Sequence, residues 1–156
     1  METTARLKEF LRDLFSSQRF AVLATQSRKQ PYGSLVAFMA TDDLKSLIFA
    51  TTRSTRKYAN IISNPKVAMV IDNRSNQEAD FQEATAVTVT GKVRETKGFE
   101  RKELQKRFLR KHPSLKDFLS SPTCALLKVE VDAYYIFSRF QIVVALQMKK
   151  QQSSSQ

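Results

Sequence analysis

The chain has 156 residues, 42% of them hydrophobic, and a formal net charge of +11. That size suits one ordinary domain with a buried core, and we expect a single domain over residues 1–148. No apolar run approaches the roughly 18 to 20 residues of a membrane span. One cysteine (Cys124) excludes an internal disulfide, and one histidine (His112) cannot alone build a histidine-based metal site. We therefore expect a cytoplasmic protein with neither a metal site nor a membrane partner.

The first third of the chain predicts one helix and three strands. In METTARLKEFLRDLF, Leu7, Leu11 and Leu14 share one face and charged residues the other, which indicates a helix and not a secretory leader. Apolar runs rich in strand formers follow, separated by turn residues. They are RFAVLAT (19–25), SLVAFMA (34–40) and SLIFATT (46–52). Tight connections between successive strands predict a meander.

The remainder alternates between strand and helix patterns. A short helix is predicted over 54–63, ending at Asn64 because Pro65 follows it. Further strands are predicted at 66–72, 84–96, 124–138 and 140–147, a polar loop at 73–82, and helices at 97–111 and 114–121. The polar tail, 149–156, is expected to be disordered. Six or seven strands joined mostly by tight turns predict a mainly β fold, an antiparallel barrel with peripheral α-helices.

Basic residues are concentrated late in the chain. Residues 92–116 hold ten Lys or Arg against three Glu, which is +7 of the net +11. Much of this charge lies on the predicted helix 97–111, where Leu104 and Phe108 face inward. The pattern has two interpretations, a solvated helix face or a nucleic-acid surface. We favour the first, because no stacking aromatic residues or recognised motif accompany the charges.

The segment IFATTRSTRKYANI, residues 48–61, joins a strand to a helix through hydroxyl and basic side chains. A helix N-terminus has unpaired N–H groups and the positive end of the peptide dipole, so it attracts anions. Arg56 and Lys57 add charge there, and Ser54 or Thr55 can cap the helix. Spacing alone leaves a phosphate site and a simple cap equally supported. The three glycines form neither a dinucleotide fingerprint nor a P-loop.

The order of these motifs resembles the flavin-binding split-barrel family related to pyridoxamine 5′-phosphate oxidase, over roughly residues 5 to 147. The most specific part is Phe49-Ala50-Thr51 followed by Thr55-Arg56-Lys57 and Asn60, similar to the segment that grips the phosphate of flavin mononucleotide (FMN) in that family. The resemblance implies an antiparallel split β-barrel that binds FMN. It implies that Arg56 and Lys57 bind the phosphate, that Thr51 lies near the ring or ribityl chain, and that backbone groups of Ser34, Leu35 and Val36 reach the ring edge.

Two departures argue against true pyridoxamine phosphate oxidation. Ser34 stands where the vitamin B6 oxidases have an arginine, and the chain has no Trp and no arginine-rich C-terminal segment. The wider family also includes members that use haem or a deazaflavin. The haem-degrading members need a histidine, and we expect His112, beside Pro113, to be a surface or capping residue instead.

No acid/base pair suggests another chemistry. Asp42 and Asp43 are predicted in a turn, Glu130 and Asp132 on a solvent-facing strand surface, and Cys124 as a buried, inert thiol. The resemblance implies a homodimer with the flavin between subunits. Some of the late aromatic residues would then line the partner's pocket, although we favour core packing for most of them: Tyr134, Tyr135, Phe137 and Phe140. The sequence thus predicts an FMN-binding redox protein, with a small-molecule electron donor or acceptor that it does not identify. The alternative is a basic nucleic-acid-binding module on a related barrel.

Overall fold

The structure is a computed structural model that describes residues 3–138 and 142–149. Its strands are β1 (Phe20–Ser27), β2 (Gln30–Ala40), β3 (Ser46–Thr52), β4 (Lys66–Asp72), β5 (Thr85–Glu95), β6 (Cys124–Ser138) and β7 (Ile142–Gln147). Its helices are α1 (Thr4–Ser17), α2 (Arg56–Ser63), α3 (Asp80–Glu83), α4 (Gly98–Lys111) and α5 (Lys116–Ser120), with a 3-10 turn at Pro113–Leu115. The fold is mainly β, as the sequence predicts.

Six antiparallel strands close into a barrel. The sheet order is β3-β2-β1-β4-β5-β6-β7, and an additional pairing of β3 with β6 closes the ring. Within the described ranges, β7 pairs with β6 alone and lies outside the closed barrel. Closure removes most of the exposed strand edges that an open sheet would present. The predicted antiparallel split barrel with peripheral helices is therefore confirmed.

The barrel splits along β6. The first half of β6 pairs with β3, from Thr52 opposite Cys124 to Ser46 opposite Glu130, and its second half pairs with β7. A register shift at Thr90/Gly91 of the neighbouring β5 accompanies the change of partner. A Cβ atom on Gly91 would collide with the backbone oxygen of Glu130. The irregularity at the split therefore depends on a residue without a side chain.

The apolar residues form two clusters, one on each face of the closing strands. The first fills the barrel, where Phe15 from α1 packs on Phe38 and Tyr134 with ring-centre distances of 5.9 and 5.7 Å. The second lies outside the barrel, between the sheet and the late helices; it contains Met39, Ile48, Leu104, Phe108, Leu119, Cys124 and Leu126. This second cluster holds α4 and α5 against β2, β3 and β6, which positions one wall of the candidate site.

Most predicted element boundaries agree with the structure, but the extent of one predicted loop is wrong. Strands 46–52, 66–72 and 124–138 have the predicted bounds. The segment 73–82 was expected to be a polar loop, but a short helix, α3, begins within it at Asp80. The carboxylate of Asp80 holds the loop that precedes this helix. That carboxylate accepts hydrogen bonds from the backbone of Ser75, Asn76 and Gln77.

Phe140 and the predicted tail beyond residue 149 lie outside the described residues. No helix in the described part of the chain is long and apolar enough to cross a membrane.

Candidate functional site

The strand-to-helix turn between β3 and α2 is held by its own hydroxyl groups. Thr55 is the N-cap of α2, and its Oγ1 accepts a hydrogen bond from the Tyr58 N–H at 3.3 Å. The same oxygen donates to the Thr52 carbonyl at 2.9 Å and lies 2.9 Å from Thr51 Oγ1. Of the two candidate caps, Thr55 and not Ser54 serves. The cap leaves other N–H groups of the first turn to face an external acceptor.

Arg53 takes part in the packing of the turn. Its Nε and Nη2 donate to the two carboxylate oxygens of Glu95 at 3.2 and 3.3 Å, and its Nη1 donates to the Pro122 carbonyl at 2.9 Å. Tyr58 donates to the same carboxylate at 2.9 Å. Burial opposes ionisation of Glu95, but these hydrogen bonds outweigh it and hold the pKa of Glu95 below its ordinary value. Because its guanidinium group already has these partners, Arg53 is not available to bind a ligand.

Arg56 and Lys57 are differently placed. Neither side chain has a hydrogen-bond or ion-pair partner among residues 3–138 and 142–149. Lys57 lines a cleft against β2 and β3, whereas Arg56 lines another cleft against the β1–β2 hairpin. The Arg56 guanidinium carbon lies 5.5 Å from the centre of the Tyr32 ring. The two adjacent cations of the sequence motif therefore face two cavities that share Thr55.

The Lys57 cleft has a volume of about 370 Å³ and lies on the outer face of the sheet. Strands β2 and β3 form its floor, with Leu35, Val36, Ala37, Ala50, Thr51 and Thr52. One wall is Thr55 and Lys57 at the start of α2, and the opposite wall is Phe108, Leu115 and Phe118. Ligand pockets commonly combine such an apolar lining with a few polar groups, at volumes of about 300 to 1,000 Å³. The cleft is at the small end of that range.

The structure brings six of the predicted site residues together in this cleft: Leu35, Val36, Ala50, Thr51, Thr55 and Lys57. Ser34 precedes the floor, and its Oγ is buried without a hydrogen-bond partner among the described residues. Phe49 is fully buried in the barrel core, so its side chain supports β3 from behind. Asn60 and Arg56 line the other cleft. The Asn60 amide nitrogen donates to Thr25 Oγ1 at 3.0 Å, which ties α2 to β1.

Sequence reasoning missed the aromatic wall. Phe108 is fully buried, and Phe118 is 38% exposed at the edge of the cleft. The spacing of Leu104 and Phe108 marks an inward face of α4, but it does not say which strands that face covers. Phe118 lies within a segment of mixed polarity, SLKDFLSS, so no pattern in the sequence points to a site.

Neither His112 nor Cys124 faces the Lys57 cleft. His112 was expected to be a surface or capping residue, and the expectation of a surface position is wrong. It occupies the C-cap position of α4 but is 94% buried, with Nε2 2.8 Å from the Phe38 carbonyl. Burial lowers the pKa of His112. Cys124 is fully buried, as expected, and burial raises the pKa of its thiol. The described part of the chain contains no cluster of three or more His, Cys, Asp or Glu side chains placed for a metal ion.

Several cations of the basic segment are paired within the protein. Arg94 forms ion pairs with Glu100 at 2.6 Å and Glu130 at 2.9 Å, and its hydrogen bond lowers the pKa of Glu100 to about 2. Lys128 also reaches Glu100, at 3.2 Å. Arg101 donates to the backbone carbonyls of Cys124 and Leu119, which fastens α4 to the start of β6. These pairings lower the number of cations that this surface can offer to an external polyanion.

The closed six-stranded barrel with helices packed outside it defines the class of split-barrel proteins. The chain belongs to the pyridoxamine 5′-phosphate oxidase family, whose model matches residues 7–137. A search of curated proteins returns no match.

Solved structures share this fold. General stress protein 26 from Bacillus anthracis is 24% identical, with a TM-score of 0.71 over 91% of this chain and 98% of that one. A heme-binding protein from Mycobacterium smegmatis is 15% identical, with a TM-score of 0.80 over 94% of this chain but 59% of that one. An FAD-binding protein from Mesorhizobium loti is 16% identical, with a TM-score of 0.62 over 80% and 88% of the two chains. At these identities the similarity establishes the fold alone.

Proposed function

We propose that the protein is a cytoplasmic FMN-binding redox protein, a flavin-dependent oxidoreductase that is not a true pyridoxamine phosphate oxidase. One observation carries the proposal: Lys57 stands at a helix N-terminus, at the wall of an apolar cleft, without an anionic partner in the described residues. A role in solubility alone does not explain why Lys57 lines that cleft. A phosphate group satisfies both the charge and the N–H groups of the turn.

The residues present fit the chemistry of FMN. Lys57 and the N–H groups of the first turn of α2 would hold the phosphate, and Arg56 can join them by turning away from Tyr32. Backbone groups of Leu35 and Val36 would meet the ring edge. The buried Ser34 Oγ lacks a partner among the described residues and can hydrogen-bond a polar group of the cofactor. Bound flavin supplies hydride and electron transfer itself, so this chain needs to bind it, orient it and shield one face.

In this proposal the aromatic wall of the cleft contacts the flavin ring. Phe108 and Phe118 line the cleft together with the floor strands and would shield one face of a bound ring from water. An apolar wall suits a planar heteroaromatic ring better than it suits a free phosphate or a sugar. The ring end and the phosphate end of FMN therefore match opposite walls of the cleft.

The subunit arrangement is proposed as a homodimer with the flavin at the interface. The outer face of β1, β4 and β6 carries apolar side chains that are more than a third exposed: Phe20, Val22, Val70 and Phe137. Val22 lies opposite Val70 in the sheet register, and both line one cavity with Phe137, so these three residues belong to one surface. A continuous apolar sheet face is the kind of surface that two subunits bury against each other. Replacing Val70 with Asp should yield monomers in light scattering, and an unchanged dimer mass would contradict this interface.

Haem is a less suitable ligand for this cleft. The single histidine of the chain, His112, is buried beneath α4, where its ring packs against Phe108 at 4.8 Å and hydrogen-bonds Phe38. It cannot reach a ligand in the cleft without unpacking that helix end.

The absorption spectrum of the purified protein tests the cofactor class. We expect flavin bands. A Soret band would identify haem, and a colourless protein carrying nucleic acid would favour the basic binding module. Reduction of the coloured protein by nicotinamide donors, followed in the same spectrum, tests the redox role.

Titration with FMN and riboflavin then tests the site. Lys57→Met should remove one charge-assisted hydrogen bond worth about 1.5 to 3 kcal/mol and weaken FMN binding about ten- to a hundredfold. Riboflavin lacks the phosphate, so its affinity should change little. Arg107→Met is the matched control, because Arg107 lines a cleft between α1 and α4 instead. Equal losses in both variants, or equal losses for both ligands, would contradict the phosphate assignment.

A further inference from the structure

The second cavity at the turn adjoins the proposed FMN site, and Thr55 and Arg56 lie between the two. This Tyr32 cleft has a volume of about 700 Å³, nearly twice that of the Lys57 cleft, and the two share Thr55. The tip of the β1–β2 hairpin forms one side, and the first turn of α2 forms the other. Any group attached to a phosphate bound at this turn can therefore extend into a preformed cavity.

The hairpin tip places a cation at the entrance. Arg28 and Lys29 have positive φ angles of 49° and 65°, in a two-residue connection between Ser27 and Gln30. Such a connection fixes the relative position of the two strands, and it brings Arg28 to the edge of the cleft. The cleft is lined by Arg28 and Arg56 and by no acidic residue, and neither arginine has an ion-pair partner in the described ranges. Its electrostatics therefore favour an anion.

The cleft also offers a stacking surface. Tyr32 is 37% exposed, and the Arg56 guanidinium lies over its ring. Aromatic rings and arginine planes are the surfaces on which nucleobases stack. The hydroxyl group of Ser54 lies along the same wall, where it can donate to a phosphate or ribose oxygen. A planar base attached to a phosphorylated ribose meets each of these groups.

We propose that the Tyr32 cleft binds the adenylate group of an adenine nucleotide, with its base against Tyr32 and its phosphate between Arg28 and the turn. Because the two clefts meet at Thr55, the geometry points to the adenylate half of FAD, whose flavin half occupies the Lys57 cleft. This inference rests on the proposed flavin function. A separate nucleotide, such as the adenylate end of a nicotinamide donor, presents the same chemistry to this cleft.

Affinities for FMN and FAD, measured by fluorescence titration of the flavin-free protein, test the subsite. We expect FAD to bind at least about tenfold more tightly than FMN. Tyr32→Ala removes the stacking surface and should weaken FAD binding about tenfold, while FMN binding changes less than about twofold. Tyr32→Phe keeps the ring and should retain FAD affinity. Arg28→Asn removes the charge with a residue that tolerates positive φ, and it should weaken FAD binding selectively.

The remaining outcomes separate the possible sources of the nucleotide. If FAD binds no more tightly than FMN, but ADP binds the FMN-loaded protein and loses affinity in Tyr32→Ala, the adenylate belongs to a separate nucleotide. If FMN binds while neither FAD preference nor Tyr32-dependent ADP binding appears, the adenylate subsite is overturned and the proposed flavin function stands. If FMN, FAD and riboflavin all fail to bind, both proposals are overturned.

Discussion

Replacement of Arg53 by Met should destabilise the protein without weakening flavin binding. The side chain joins the turn after β3 to the end of β5 and to Pro122, through hydrogen bonds of 3.2, 3.3 and 2.9 Å. A hydrogen bond to a charged group contributes about 1.5 to 3 kcal/mol when protected, and exposed ion pairs contribute about 0.2 to 1 kcal/mol. Arg53 is 38% exposed but Glu95 only 13%, so we expect a loss of about 1 to 2 kcal/mol in the free energy of unfolding.

The pH dependence of that loss identifies its origin. The pKa of Glu95 is lowered in the folded protein, so its stabilising contribution is full above the pKa of an unfolded glutamate, about 4.3, and is lost as pH falls through the lower folded pKa. The difference between wild type and Arg53→Met should therefore shrink below about pH 4. Urea denaturation followed by circular dichroism measures it, with a double-mutant cycle through Glu95→Gln to isolate the pair.

Two results would refute this reasoning. Equal unfolding midpoints at neutral pH would mean that the ion pair contributes nothing, and a constant difference across the acid range would mean that Glu95 is not its partner. Lys102→Met is the control, because Lys102 is exposed on α4 and has no ion-pair partner in the described ranges. FMN affinity should be nearly equal in all of these variants.

Three further predictions follow from the packing and from the site. Gly91→Ala should cost about 1 to 3 kcal/mol in an unfolding titration, because its Cβ would meet Glu130, whereas Gly33→Ala has open space and should be nearly neutral; equal effects would contradict the close approach at the split. Burial lowers the pKa of Lys111 to about 8, so the folded state disfavours its ammonium group at neutral pH. Wild type should gain stability relative to Lys111→Met as pH rises from about 8 towards the ordinary lysine pKa of about 10.4, and parallel stability profiles would show that burial does not perturb the group. The flavin-loaded protein should not efficiently convert pyridoxamine phosphate to pyridoxal phosphate, because Ser34 replaces an arginine; efficient turnover in a product assay would contradict that expectation.

Much of the secondary structure was determined by local patterns in the sequence. SLIFATT and KVAMVID have the predicted bounds because turn residues or a proline stop each run of strand formers. The strand-to-helix turn was predictable for the same reason, since a hydroxyl residue precedes a helical pattern. Its resemblance to a phosphate-binding segment also pointed to Leu35, Val36, Ala50, Thr51, Thr55 and Lys57, which the fold brings into one cleft.

Which cations remain available to a ligand was decided only by the tertiary structure. The resemblance favoured Arg56 and Lys57 over Arg53, but only the structure shows that Arg53 pairs with Glu95, 42 residues away, and that the other two line separate clefts. His112 was expected to be a surface or capping residue; it occupies the C-cap position of α4, but its ring is buried against a carbonyl 74 residues away. Local propensity acts over a few residues, whereas these outcomes depend on the closure of β3 onto β6 and on the helices that pack outside it. Pairings across such separations leave no periodic signal in the chain.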